Sequence, residues 1–139
     1  MRILLTGSAG FIGMHVTEAL LKEKHTIMGL DNLNSYYSVK LKKKRLVKLI
    51  KYNNFKFKKI DISNYKKLER IFKNFKPNLV INLAAQAGVR YSIEYPDKYL
   101  KSNIVGFFNI LQLSKMYSVK KLIFASSSSV YGVKSKSSN

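Results

Sequence analysis

The sequence predicts an α/β fold, a doubly wound parallel sheet with strand order 3-2-1-4-5. Three observations predict it. Short apolar runs alternate with segments of helical period along the chain. The first apolar run passes directly into Gly7, Gly10 and Gly13, and an amphipathic stretch follows at once. Pro77 and Pro96 both fall between predicted elements. Right-handed crossovers between parallel strands then give the stated order.

Strand 1 is predicted at 2–6, where Ile3 to Leu5 form the apolar run, and a helix follows from Phe11 to about residue 23. Strand 2 spans 26–30. A loop and a basic helix fill 32–52; Leu46, Leu49 and Ile50 share one side, and Lys42, Lys44, Lys48 and Lys51 are expected largely on a solvated face. Strand 3 lies near 55–60 and a helix at 64–75. Strand 4 is Leu79 to Leu83, a long helix runs from about Asp97 to Tyr117, and strand 5 is Lys121 to Ala125. The tail at 134–139, rich in Ser and Lys, is expected to fray. Strand 5 is expected to leave an uncovered apolar edge and marginal solubility.

The glycines carry the first functional signal. Gly7 lets the chain turn as it leaves the strand, Gly10 lets backbone approach an anion, and Gly13 allows close helix packing. The first-turn N–H groups, at Phe11 and Ile12, then face that anion. The spacing is G-x-x-G-x-x-G, with a strand before it and a helix after it. That context points to a dinucleotide pyrophosphate at a helix N-terminus; the plain alternative is a Gly-rich turn between packed elements. Asp31, beside Asn32, ends strand 2 where an acidic residue would accept from adenosine ribose hydroxyls. A carboxylate there repels a 2′-phosphate and favours NAD over NADP. The alternative is a turn aspartate.

Further candidates sit at the carboxyl ends of later strands. Asp61 and Ile62 lie near where an adenine would rest; otherwise Asp61 caps the next helix. Leu83, Ala84 and Ala85 open a run of small residues through Gly88 that lets a cofactor lie against backbone. Arg90 is placed to meet a phosphate or carboxylate, or to pair with Glu94. Ser126 to Ser129 follow strand 5, where hydroxyls would hold a reacting alcohol; the alternative is a low-complexity loop. His15 and His25 are assigned no chemistry.

At 139 residues the chain is expected to form one domain, at 1–133, with a core of its own. It has no cysteine, which excludes disulfides and thiolate metal sites and suits a reducing, cytoplasmic setting; no metal site is expected. No apolar run approaches the ~18 residues of a membrane span, and the apolar start is too short for a signal peptide. The net charge is +19. Lysine supplies nearly all of it, with 22 lysines to 4 arginines. A chain built for phosphate or base recognition would use more of arginine's bidentate fork, so neither a specific nucleic acid nor a membrane partner is expected.

Thr6-Gly-Ser-Ala-Gly-Phe-Ile-Gly13, Leu83-Ala-Ala-Gln86 and Ser126-Ser-Ser-Ser-Val-Tyr-Gly132 together resemble the extended short-chain dehydrogenase/reductase family, the NAD-dependent epimerase/dehydratases. The stretches Leu30 to Tyr37 and Ala85 to Ser92 resemble its UDP-glucuronate 4-epimerases. The similarity covers nearly all of 1–133. It implies a Rossmann-like domain carrying a smaller C-terminal substrate domain, NAD as cofactor, a UDP-sugar substrate, and homodimers among full-length members. It also implies the pyrophosphate at Gly7, Gly10 and Gly13, the ribose at Asp31, and the adenine at Asp61 and Ile62. Leu83, Ala84 and Ala85 would line the cofactor channel, with Asn103 near it. Ser127 would bond the sugar's 4-hydroxyl, and Ser128 and Ser129 would face the sugar. In that chemistry a tyrosine removes the 4-hydroxyl proton, C4 hydride passes to NAD, the 4-keto sugar turns over, and hydride returns to its other face. A lysine lowers the tyrosine's pKa.

One departure stands out. The family's Tyr-x-x-x-Lys should come a couple of dozen residues after the serine motif, and the chain ends at Asn139 before it; Ser135 stands four residues after Tyr131. The expectation is an N-terminal portion of an epimerase, truncated before the last strands and the substrate domain and inactive alone. The competing readings are a stand-alone nucleotide-binding module, a fragment of a sugar-nucleotide dehydratase or decarboxylase, and a basic nucleic-acid binder.

Overall fold

The computed structural model describes residues 1–132, without the side chains of Ser128 and Ser129. The expected tail at 134–139 lies outside the described residues. Five parallel strands, β1 (Arg2–Thr6), β2 (Thr26–Asp31), β3 (Phe55–Lys59), β4 (Leu79–Asn82) and β5 (Lys121–Phe124), form one sheet. Its order is β3-β2-β1-β4-β5, as the alternating pattern predicts. Register runs Leu5 to Gly29 on one side of β1 and Leu5 to Ile81 on the other.

Side chains alternate across the central strand, so each face feeds a separate core. Ile3 and Leu5 join Met14, Leu21, Ile27, Leu46 and Leu49 under α1 (Phe11–Lys22) and α2 (Val39–Ile50). Leu4 joins Leu30, Leu68, Phe72, Ile110 and Leu113 under α3 (Tyr65–Phe75) and α6 (Phe107–Met116). Asn64 caps α3, its side chain accepting from Lys67 N at 3.1 Å. Asp61 therefore does not cap that helix.

Element ends fall within a residue or so of the sequence reading, with two larger differences. The long helix predicted from Asp97 comprises α5 (Pro96–Tyr99), a π-helical stretch at Leu100–Gly106, and α6. A further helix, α4 (Val89–Glu94), starts after Gly88, which holds φ +99°. Its six residues lie between Gly88 and Pro96, two residues that read as loop.

The basic helix needs a correction. Lys42 was expected on a solvated face, yet it is only 5% exposed, whereas Ile50 is 61% exposed. The buried residues of α2 are Lys42, Leu46 and Leu49, an i, i+4, i+7 stripe that puts Lys42 on the inward face. At the opposite sheet edge, Ile123 and Phe124 of β5 are exposed, as expected. No helix among the described residues is long and apolar enough to cross a membrane, and none of their His, Cys, Asp and Glu side chains group into a metal site.

Candidate functional site

A groove opens at the carboxyl ends of β1 to β4, where ligands bind open parallel sheets. Gly7, Gly10, Asp31, Asn32, Asp61 and Ile62 line it, and Leu83, Ala84 and Ala85 form a wall. A neighbouring hollow continues past Ala84 and Ala85 to Asn103, Ser126 and Ser127. The topology thus gathers into one cleft most of the residues that the sequence singled out from five separate segments.

Gly7 begins the site with a left-handed turn at φ +73°, and a Cβ there would stand 2.9 Å from Ala84 N. Gly13 seats the helix on that turn, since its Cβ would lie 2.0 Å from the Gly7 carbonyl oxygen. Close approach here is helix to turn. Gly10 N donates to Gly7 O at 2.9 Å, and Met14 N to Gly10 O at 3.0 Å. No side chain caps α1 and no acidic residue stands in its first turn. Its N-terminal N–H groups at Phe11 and Ile12 are thereby left for an anion. The side chains of these two residues are exposed.

Asp31 is buried, and both carboxylate oxygens accept backbone N–H groups. Oδ2 accepts from Ala9 N at 3.2 Å and Oδ1 from Leu33 N at 2.8 Å. Asp31 thus holds a turn through Leu33 N, and the same carboxylate ties β2 to the glycine loop. Asp61 Oδ1 accepts from Ser63 N at 3.0 Å and Ser63 Oγ at 2.7 Å, while Oδ2 accepts from Asn32 Nδ2 at 3.2 Å. Burial pushes the Asp61 carboxyl up; the Ser63 and Asn32 hydrogen bonds and the Lys101 charge reverse this and hold it below the usual carboxylate range. Ile62 packs in the core under the groove, and its carbonyl accepts from Asn109 Nδ2 at 3.0 Å.

Asn103 faces the cleft from the π-helical stretch. Its Oδ1 accepts from Gln86 N at 2.7 Å and its Nδ2 donates to Gln86 O at 2.9 Å, so it braces the segment after β4. Thr6 braces the same segment, donating to Asn82 Oδ1 at 2.6 Å and accepting from Ala84 N at 3.1 Å. Ser126 and Ser127 line the hollow and are exposed. Arg90 lies on the exposed surface of α4, does not line either part of the cleft, and makes no ion pair with Glu94.

Several groove residues were missed by the sequence reading. Tyr36, Tyr37, Asn34 and Lys42 line the groove, and Arg45 Nη1 donates to Tyr37 Oη at 3.0 Å and to Ala9 O at 3.4 Å. Burial pushes the Tyr37 hydroxyl up, against the pull of the Arg45 charge. Tyr36 packs on Tyr91 with centroids 4.7 Å apart and rings tilted by 56°, joining the loop after β2 to α4. Tyr99 Oη donates to Ala87 O at 2.6 Å and also contacts Gly88 O. The readable signal for Lys42 was its place four residues before Leu46 and seven before Leu49.

Residues 4–138 match the protein family described as GDP-mannose 4,6 dehydratase. Among curated proteins, the chain is 54% identical to Protein CapI of Staphylococcus aureus over 132 residues, 95% of this chain and 39% of that protein. It is 53% identical to UDP-glucuronate 4-epimerase of Thermodesulfobacterium geofontis over 128 residues, 92% of this chain and 40% of that protein. Among solved structures, UDP-glucuronic acid 4-epimerase from Bacillus cereus, in complex with UDP-glucuronic acid and NAD, superposes with a TM-score of 0.88. That pair shares 35% identity and covers 100% of this chain and 44% of the other. The chain spans about two-fifths of the length of the curated relatives it matches.

Proposed function

The chain belongs to the GDP-mannose 4,6 dehydratase family, within the extended short-chain dehydrogenase/reductases, and we propose that it is the NAD-holding N-terminal portion of a UDP-glucuronate 4-epimerase. One observation carries this reading. The uncapped α1 N-terminus, Gly10 and the Asp31 carboxylate open into a single groove that continues to Ser127. A dinucleotide is the ligand whose adenosine ribose, pyrophosphate and reactive end need the Asp31 carboxylate, the open helix N-terminus with Gly10, and the Ser127 end of the groove in turn. Similarity to UDP-glucuronate 4-epimerases, among curated proteins and solved structures, supports the choice of sugar nucleotide.

The residues divide the work by chemistry. The first-turn N–H groups at Phe11 and Ile12, with Gly7, Gly10 and Gly13, would hold the pyrophosphate. Asp31 and Asn32 would take the adenosine ribose, and Asp61 and Ile62 the adenine. Leu83, Ala84, Ala85, Asn103 and Ser126 would wall the path to the reactive end. When bound, NAD supplies a reversible hydride acceptor for the sugar's C4. Ser127 would orient the 4-hydroxyl by hydrogen bonding, with Ser128 and Ser129 facing the sugar. Dehydratases in this family carry acidic residues inside the serine motif; Ser128 and Ser129 at those positions favour epimerisation.

No Tyr-x-x-x-Lys follows the serine motif in this sequence. Without that acid/base pair the 139-residue chain is expected to be inactive alone, since such residues contribute orders of magnitude in rate. The test assays this chain and, from the same coding region read onward, any longer product carrying the motif. Conversion of UDP-glucuronate to UDP-galacturonate by the longer product only is expected. Turnover by the short chain would overturn its inactivity. NAD binding with no such motif downstream would favour the second reading, a stand-alone NAD-binding module, which the complete adenosine half of the groove supports.

A further inference from the structure

Resting on the cofactor reading above, we propose that Lys42 is a specificity-determining residue of the groove: its ammonium donates to an adenosine ribose hydroxyl, as donor partner to the Asp31 acceptor.

The placement of Lys42 is what calls for a role. Of the five lysines in α2 it alone is buried, on the face where Leu46 and Leu49 enter the core. A solvated-face lysine would keep its ammonium in water and bury only its stem. Here the whole side chain is drawn in, with 6% of it exposed, and it lines the groove beside Asp31. Burying a charge is costly unless it is paired and hydrogen-bonded.

The surroundings satisfy the charge but not all its donors. Nζ lies 3.8 Å from Asp31 Oδ1, an ion-pair distance outside hydrogen-bond range. It donates to Asn34 Oδ1 at 2.9 Å and sits 4.7 Å from the Tyr37 ring centroid. An ammonium has three N–H donors and no acceptor. Donor capacity is therefore left over on a buried cation in the groove wall.

Ribose chemistry needs that capacity. Each hydroxyl of the diol both donates and accepts, whereas an ionised carboxylate only accepts. Asp31 has its two oxygens already engaged by Ala9 N and Leu33 N, so it can take ribose protons but offers none. Lys42 supplies the missing donor at the same carboxylate. Burial, the larger influence, lowers the Lys42 pKa, the Asp31 charge opposes this, and Arg45 adds to it. Arg45 itself is spent on Ala9 O and Tyr37 Oη. These two of the six basic residues of α2 thus divide their tasks, one fixing the glycine loop and the other facing the ribose.

The experiment compares ADP with 2′,3′-dideoxy-ADP by calorimetry, on the wild type, Lys42→Met and Lys42→Gln. ADP carries the adenosine half of the cofactor; its dideoxy form lacks only the ribose hydroxyls. The wild type should prefer ADP. Lys42→Met, which keeps the stem, should narrow that preference about tenfold. Lys42→Gln retains a donor and should narrow it less, and it decides the matter if Lys42→Met fails to fold. An unchanged preference in the variants would overturn the role of Lys42 while leaving the cofactor reading intact. Equal weakening of both ligands would overturn it too, making Lys42 a charge that acts on the phosphates. A wild type that binds neither ligand would overturn both.

Discussion

Asn103 clamps the backbone of Gln86 from both sides, its Oδ1 accepting from the Gln86 N–H at 2.7 Å and its Nδ2 donating to the Gln86 carbonyl at 2.9 Å. The two residues are 17 apart in sequence, and the clamp ties the π-helical stretch to the wall of the groove. Each such bond contributes about 1 kcal/mol net, and an orphaned buried partner costs more. Asn103→Ala is expected to lower stability by about 2 kcal/mol. Asn103→Asp, which keeps only the acceptor, should lie between it and the wild type. Urea titrations of the three proteins check the order; an Asn103→Ala protein as stable as the wild type would contradict it.

Gly13 and Gly10 should separate folding from binding. A methyl at Gly13 meets the Gly7 carbonyl oxygen at 2.0 Å, and neither backbone segment can yield cheaply. Gly13→Ala is expected to cost at least about 3 kcal/mol. At Gly10 the nearest atom to an added Cβ is the same oxygen, at 3.0 Å. Gly10→Ala should fold but bind NAD at least about tenfold more weakly, because the new methyl stands where backbone approaches phosphate. Melting curves and NAD titrations read the two effects separately.

Asp61 sets an acid limit on stability. Its pKa lies below the ordinary value of 3.8 in the folded chain, so folding favours the carboxylate. A depressed folded-state pKa contributes stability above the unfolded pKa and loses it as pH falls through the folded value. Stability attributable to Asp61 should therefore be constant near neutrality and decline as pH drops below about 4. Asp61→Asn should show a shallower acid decline than the wild type when both are unfolded by urea across pH 2.5–6. Parallel curves would contradict it.

Asp31 should govern which dinucleotide is accepted. Its carboxylate stands in the groove wall, where a 2′-phosphate would bring like charge against it. Asp31→Asn is expected to weaken NAD binding about tenfold and to narrow the preference for NAD over NADP. Lys42 remains nearby to favour the added phosphate. Competition between the two dinucleotides for the wild type and the variant measures this directly.

Much of this architecture was legible because local and long-range signals agree. The run Ile3 to Leu5 leading into Gly7 specifies strand, turn and helix at once, and β1, β2, β4 and β5 all contain apolar runs, whereas β3 alternates Phe with Lys. Asp31 and Asp61 were found from their positions at strand ends. What was hidden depended on how helices rotate against the sheet. Six basic residues in α2 outweigh the inward stripe through Lys42, so composition argues for a solvated face while packing draws one lysine inside. Arg45 reaches Ala9 across 36 residues, a pairing no local pattern encodes. The π-helical turns at Leu100–Gly106 read as ordinary helix, and the Asn103 clamp within them joins segments 17 residues apart, which no local pattern encodes.

The central claim is that the groove holds NAD through its adenosine half, and titration of the 139-residue chain with NAD tests it most directly. Saturable binding of one NAD per chain, weakened by Asp31→Asn and by Gly10→Ala while both variants stay folded, is the expected result. A folded chain that shows no saturable NAD binding, or binding indifferent to both substitutions, would contradict the account.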